Sequence, residues 1–211
     1  MAMTIDFFGE ISCPWCLIAL HRLDNVLERD FAGLEVNVRH HPFLLTQGLP
    51  KDGIAVDDIF RARHDGADRR ESFEPPEREA RSAGIDLSLS RQPRVFDTTA
   101  AQTLVRLAHA RGTQHALAVA LTDAYFLRGV TMGDFNAVAS LASEHGFDHA
   151  EALALMRNPA EQRLTIEQSD AARNLGLRSV PVIAFPNGLA LQTSPESAIA
   201  EAISKNISGM A

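Results

Sequence analysis

Cys13 and Cys16, separated by Pro14 and Trp15, are the only two cysteines of a 211-residue chain, and they stand where a strand gives way to a helix. The run Thr4-Ile5-Asp6-Phe7-Phe8 is rich in β-branched and aromatic residues and predicts a strand. Leu17, Leu20, Leu23 and Leu27 recur at helical spacing and predict an amphipathic helix. A thiol at a helix start faces unpaired backbone amides and the positive end of the helix dipole, and both favour the thiolate. Such sites lower a thiol pKa from about 8.5 into a range of roughly 3.5–7.5. Cys13 is therefore the expected nucleophile. Cys16, one turn further in on the same side and more buried, is the expected resolving thiol. Thiol–disulfide exchange is the chemistry such a pair can do. Pro14 suits the first turn, where its missing N–H costs little. Trp15 is expected to lie flat on the surface beside the sulfurs, where it and Pro14 shape the substrate contact.

Glu10, three residues before Cys13, reads first as a solvated loop carboxylate; proton transfer for Cys16 is the functional alternative. Pro181 is tolerated in the strand-like run Val180-Pro181-Val182-Ile183-Ala184-Phe185 only at an edge or at a special bond. It is either an ordinary trans proline opening the strand or a cis bond that exposes the Val180 backbone to an extended substrate. A zinc site would need four ligands, and no second cysteine pair exists. His40 and His41 could complete one only from a strand end, not as the usual spaced pair, so no metal is expected. His21 and Arg22 read as the polar face of the first helix, and Tyr125 and Phe126 as core or groove wall.

The elements that must position these residues follow from periodicity and punctuation. Leu34 to His40 alternates apolar and polar and predicts a second strand, which Pro42 should stop. Strand, helix and strand over residues 4–43 predict a parallel, right-handed unit. A helical stretch follows. Val56 to Arg70 predicts a charged surface helix. Pro75-Pro76 opens a short helix that Gly84 closes. Helices are expected over Thr98 to Arg111 and Thr113 to Leu127, and after the caps Asp134 and Asp148. A long helix runs from Pro159 to Leu175. Strand chemistry returns at Val180 to Phe185. Pro186-Asn187-Gly188 predicts a tight turn, Leu189 to Gln192 the returning strand, and Pro195 to Ile207 a closing helix.

The formal net charge of −7 and the lack of a basic cluster argue against a nucleic-acid partner. No apolar run approaches the roughly 20 residues that span a bilayer, so no membrane partner is expected. Residues 1–6 lack the basic and apolar regions of a secretory signal, and two cysteines fit a reducing compartment, so the expected location is cytoplasmic.

Four segments carry a family resemblance: Cys13-Pro14-Trp15-Cys16 after the first strand, His41-Pro42-Phe43-Leu44-Leu45 after the second, Ala124 to Gly129, and Ala171 to Leu177 leading into Val180-Pro181. Over nearly the whole chain the sequence resembles the DsbA-like branch of the thioredoxin superfamily, in its FrnE-type and 2-hydroxychromene-2-carboxylate isomerase-like group. The resemblance implies an α/β thioredoxin fold, β-α-β then β-β-α, with an inserted all-helical subdomain. The implied division is 1–44 and 165–211 for the thioredoxin-like part and 45–164 for the insertion. It also implies Cys13 as nucleophile, Cys16 as partner and Pro181 as a cis-proline. Related isomerases and kappa-class glutathione transferases usually carry serine where Cys13 stands. Departures include Glu10 for a common aspartate, Leu17 for an aromatic, Ser179 for a glycine, Gln102 for a histidine, and no glycine near Leu191-Gln192-Thr193.

The expected activity is a thiol–disulfide oxidoreductase acting on a protein or small molecule that carries a thiol or disulfide. No tightly bound cofactor is expected; glutathione is the one candidate co-substrate, and a homodimer is left open. The alternatives are a glutathione-dependent isomerase or transferase, and a peptide-binding module with vestigial thiols.

Overall fold

The computed structural model describes residues 3–50, 52–63 and 68–208. In β1 (Met3–Gly9) the period-two pattern is realised: Met3, Ile5 and Phe7 are buried, and Thr4, Asp6 and Phe8 between them are partly exposed. Helix α1 (Pro14–Asp30) follows. Strand β2 (Val36–Pro42) then returns parallel to β1, in register from Met3 opposite Val36 to Gly9 opposite Pro42. Pro42 ends the ladder, as the sequence suggests, and is itself the last rung. β2 lies at the edge of the sheet, so a proline there forfeits no bond on the paired side, and the Phe43 amide donates to Gly9 O at 3.0 Å.

Two short strands complete the sheet. β5 (Val182–Ala184) runs antiparallel to β1, and β6 (Ala190–Leu191) antiparallel to β5, giving the order β2-β1-β5-β6. Both are shorter than the sequence predicts, because β5 starts only after Pro181. α9 (Glu196–Ser208) packs beside α1. This is the thioredoxin arrangement, β-α-β then β-β-α.

Among the described residues between β2 and β5 the regular structure is mainly helical: α2 (Val56–Arg63), α3 (Arg69–Ser82), α4 (Thr99–Ala108), α5 (Gln114–Leu127), α6 (Phe135–Ser143), α7 (His149–Arg157) and α8 (Pro159–Asn174). The local stop and start signals hold for the later helices. Asp134 caps α6, Asp148 closes a capping box on α7, and Pro159 opens α8. The earlier ones differ. The helix expected over 56–70 is described as α2 and the start of α3; its residues 64–67 lie outside the described residues. α3 is capped by Asp68, so Pro75 and Pro76 fall inside it instead of opening it. Strands β3 (Ile54–Ala55) and β4 (Arg94–Val95) form a small antiparallel pair that has no sequence signal.

α1 is the wall shared by two cores. Leu20, Leu23 and Val26 pack with Ile5, Phe7, Ile183 and Ile203 under the sheet. Leu17 and Ile18 pack with Leu104, Leu121 and Tyr125 among the helices. A helix buried on two sides is held more rigidly than one with a solvated face, and its N-terminus is where the cysteines stand. His21 and Arg22 are accordingly not a solvated polar face. Arg22 is buried and donates to Glu79 Oε2 (2.6 Å), Ser82 Oγ (3.3 Å) and Ser194 O (3.2 Å); His21 Nε2 meets Asp123 Oδ1 at 2.7 Å.

The edge strand β2 is covered by a side chain. Gln114, the first residue of α5, accepts from the His40 amide at 3.0 Å and donates to the His40 carbonyl at 3.1 Å, satisfying both backbone groups of that buried residue as a neighbouring strand would. Gln114→Ala should therefore cost about 1–3 kcal/mol for each orphaned group, visible as a lowered urea midpoint; an unchanged midpoint would remove this role.

Candidate functional site

Cys13 is the N-cap of α1, with extended backbone (φ −97°, ψ 114°), and Pro14 occupies the first helical position. The two cysteines are unbonded to each other, and both are buried: Cys13 is 6% exposed and Cys16 1%. Their environments push the two thiols apart. The Cys16 thiol donates to the Cys13 sulfur and is the main reason that Cys13 ionises below the ordinary cysteine range. Burial opposes this, and the Cys16 and Trp15 amides add their dipoles, although neither closes a capping hydrogen bond to the sulfur. Cys16 is held well above the ordinary range, first by burial and then by the hydrogen bond and negative charge of Cys13. One proton shared between two sulfurs in this way gives one ready nucleophile and one reserve thiol.

Glu10 contradicts its solvated reading: it is 2% exposed. Its carboxyl accepts from the Thr98 hydroxyl (2.7 Å), the Leu45 amide (3.1 Å) and the Ser12 amide (3.3 Å), and its own amide donates to Cys16 Sγ at 3.5 Å. Burial raises its pKa against the pull of these donors and of Gln102. A buried carboxyl that ionises above its usual range, next to a buried thiol, can hold and release a proton. Both line one small cavity of about 20 Å³, with Gln102, His40 and His41 on its walls. The chain turns into this site at Gly9, where a Cβ would lie 2.5 Å from the Phe7 ring and 3.7 Å from Cys16 Sγ.

On the other side of the pair, the Val180–Pro181 bond is cis, with Pro181 buried. Cys13 Sγ lies 3.7 Å from the Val180 carbonyl oxygen, across 167 residues of sequence. Trp15 does not lie flat on the surface. It is partly buried and packs against both cores. Pro14 and Ser12 instead open onto an apolar cleft of about 170 Å³ walled by Ile59, Phe73, Tyr125 and Phe126.

The structure thus brings Cys13, Cys16, Glu10, Val180 and Pro181 together, with Pro14 and Trp15 flanking them. Sequence reading missed Thr98 and the Leu45 amide, which lie 88 and 35 residues from Glu10 and carry no local mark of their partnership. His40 and His41 turn their Nε2 atoms elsewhere, His40 to His115 and His41 to Asp6. Among the described residues no group of three or more His, Cys, Asp or Glu side chains is placed to hold a metal ion, and no helix is long and apolar enough to cross a membrane.

Comparison with known proteins agrees with this geometry. No curated protein sequence matches the chain. Among solved structures, a probable DsbA oxidoreductase from Streptomyces coelicolor superposes with a TM-score of 0.83 at 22% identity, covering 98% of this chain and 90% of that one. The cytosolic disulfide reductase DsbM from Pseudomonas aeruginosa, solved with glutathione, gives 0.66 at 18% identity, covering 97% and 96%. A 2-hydroxychromene-2-carboxylate isomerase gives 0.67 at 15%, covering 96% and 94%. At these identities the likenesses speak for the fold. The model of the DSBA-like thioredoxin domain matches residues 4–204, and with nearly its whole length inside that match the chain belongs to the DSBA-like thioredoxin family.

Proposed function

We propose that the chain is a thiol–disulfide oxidoreductase working through Cys13-Pro14-Trp15-Cys16. The observation that carries this reading is the pair of unbonded cysteines at the start of α1, with Cys13 Sγ 3.7 Å from the carbonyl of the residue that precedes the cis proline. The Cys13 thiolate attacks one sulfur of a client disulfide, forms a mixed disulfide and releases the other sulfur as a thiolate. Cys16 gives its proton to Glu10, attacks Cys13 Sγ and closes the Cys13–Cys16 disulfide, and the client leaves with two more electrons than it brought. Run backwards, the same steps oxidise a client dithiol. The Val180 carbonyl beside Cys13 is the backbone group available to an extended client, and the apolar cleft beside Pro14 suits a hydrophobic client side chain.

Glutathione is the candidate small-thiol co-substrate and the cytoplasm the expected location; the glutathione-bound cytosolic reductase among the structural neighbours supports both. The likeness to an isomerase favours a second reading, a glutathione-dependent isomerase or transferase, which requires activity that survives Cys16→Ser. The deciding experiment is insulin-disulfide reduction with glutathione as donor. Catalysis that depends on both cysteines is expected, and a rate equal to that of glutathione alone would remove the proposal.

A further inference from the structure

Glu10 can take a proton from Cys16, but it has no way of its own to pass that proton to water: its oxygens are engaged by Ser12, Leu45 and Thr98 and it is almost completely buried. From another wall of the same cavity a chain of side chains leads to the surface. The His40 ring, on β2, lines the cavity with Cys16 and Glu10. His40 Nε2 lies 2.8 Å from His115 Nδ1 on α5, and His115 Nε2 lies 2.6 Å from Asp24 Oδ1 on α1. The outer two are open to solvent, with side-chain exposures of 26% for His115 and 32% for Asp24.

The acceptor at the outer end sets the direction of every hydrogen in the chain. A carboxylate only accepts, so a neutral His115 presents Nε2–H to Asp24 and the lone pair of Nδ1 to His40. His40 must then donate from Nε2, which leaves its Nδ1 as the ring's remaining acceptor. All the donors point outward, towards solvent. The cavity, at about 20 Å³, is the size of one water molecule and has polar walls in Glu10, Gln102 and the histidines, so a bridge from the Cys16 side to the His40 ring fits within it.

We infer that His40, His115 and Asp24 form a proton conduit that connects the buried Cys16–Glu10 pair to solvent. The inference rests on the exchange chemistry proposed above. As Cys16 becomes a thiolate, its proton passes through Glu10 and the cavity to His40 Nδ1, the His40 Nε2 proton moves to His115 Nδ1, and the His115 Nε2 proton leaves through Asp24. The released client thiolate is reprotonated from solvent. The hop leaves both rings in the opposite tautomer. The reverse half-cycle, in which Cys16 regains its proton from solvent, resets them.

The surroundings suit this role. The titratable groups bearing on the conduit are Cys16 and His21 on α1, Glu10 in the loop before it, and His41, which is held with Arg39 on Asp6 of β1. Burial, then the neighbouring His115 and His41, keep His40 neutral and hence able to accept a proton. Nothing in the exchange step itself requires two histidines and an aspartate in line behind the resolving thiol.

The test uses the whole chain, reduced, mixed with excess dithiobis(nitrobenzoic acid). Attack by Cys13 releases one thionitrobenzoate at a rate that depends on reagent concentration. Closure by Cys16 releases a second at a rate that does not. His115→Ala should slow the second release about tenfold, leave the first to Cys13, and recover on addition of imidazole, which fits the space of the lost ring. Asp24→Asn, a surface change that keeps the hydrogen bond but loses the charge, should slow the second release several-fold and tests the conduit even if His115→Ala folds poorly. A second release within about twofold of the parent in both variants overturns the conduit, as does a slowed release in His115→Ala that imidazole leaves unchanged; the three residues would then only tie β2, α5 and α1 together. Loss of the first release in the parent chain would instead overturn the proposed exchange activity.

Discussion

Cys13→Ala will reduce insulin-disulfide exchange to the uncatalysed rate, whereas Cys16→Ala will keep the first attack and accumulate mixed disulfides. The asymmetry follows from the geometry of the pair. Cys13 sits at the helix cap beside the Val180 carbonyl, where a client sulfur can reach it, and Cys16 is the more deeply buried of the two. Without Cys16 no second thiol can displace the client. The Cys16→Ala variant will also be slower in its first step. The Cys16 hydrogen bond is the largest influence lowering Cys13, so removing it lets the Cys13 pKa rise. Each unit of rise cuts the thiolate fraction about tenfold at a pH below the pKa. A more basic thiolate is intrinsically more nucleophilic, with a Brønsted coefficient of roughly 0.4–0.5, so the net loss is about three- to fourfold per unit. Gel electrophoresis of trapped adducts and stopped-flow alkylation read the two effects separately. Mixed disulfides accumulating equally in the unmodified chain would contradict the assignment of Cys16.

Glu10→Gln will move the two cysteines in opposite directions. The charge of Glu10 raises the pKa of both thiols, so a neutral amide lets Cys13 ionise at lower pH, and its alkylation at pH 6–7 should quicken. The Cys16 step should slow on the order of 10- to 100-fold, at or below the lower end of what a positioned acid–base group contributes. The pH profile carries the sign. Burial holds the Glu10 pKa above its unfolded value near 4.5, so the folded state favours the protonated acid. This group's contribution to stability is undiminished below about 4.5 and falls as pH rises through the folded pKa. The ionised carboxylate is thus the costly form in the fold, and the one able to accept the Cys16 proton. A Glu10→Gln chain with both thiol reactivities unchanged would remove Glu10 from the mechanism.

What could be read in the sequence, and what could not, divides by distance along the chain. The strand, loop and helix around Cys13 are coded within thirty residues by alternation, by Pro14 at the first turn and by leucines at helical spacing. The caps Asp134 and Asp148 and the helix-opening Pro159 act within one turn and were equally legible. Glu10 was not: its burial depends on Thr98 and Leu45, which a loop carboxylate's own neighbours do not announce. Arg22 reads as a surface residue on a helical wheel, yet α3 and the segment before α9 close over it. Trp15 looked like a surface aromatic because the second core it packs against is built from helices far along the chain. Two-residue strands such as β3 and β4 are too short for any period to register.

These surroundings favour the thiolate at Cys13 and the protonated thiol at Cys16. Following thiolate absorbance and site-specific alkylation against pH in the reduced chain tests this directly. Cys13 is expected to titrate below the ordinary cysteine value and Cys16 only well above it; a Cys13 that titrates at or above the ordinary value, or a Cys16 that ionises first, would contradict the division of roles between the two thiols.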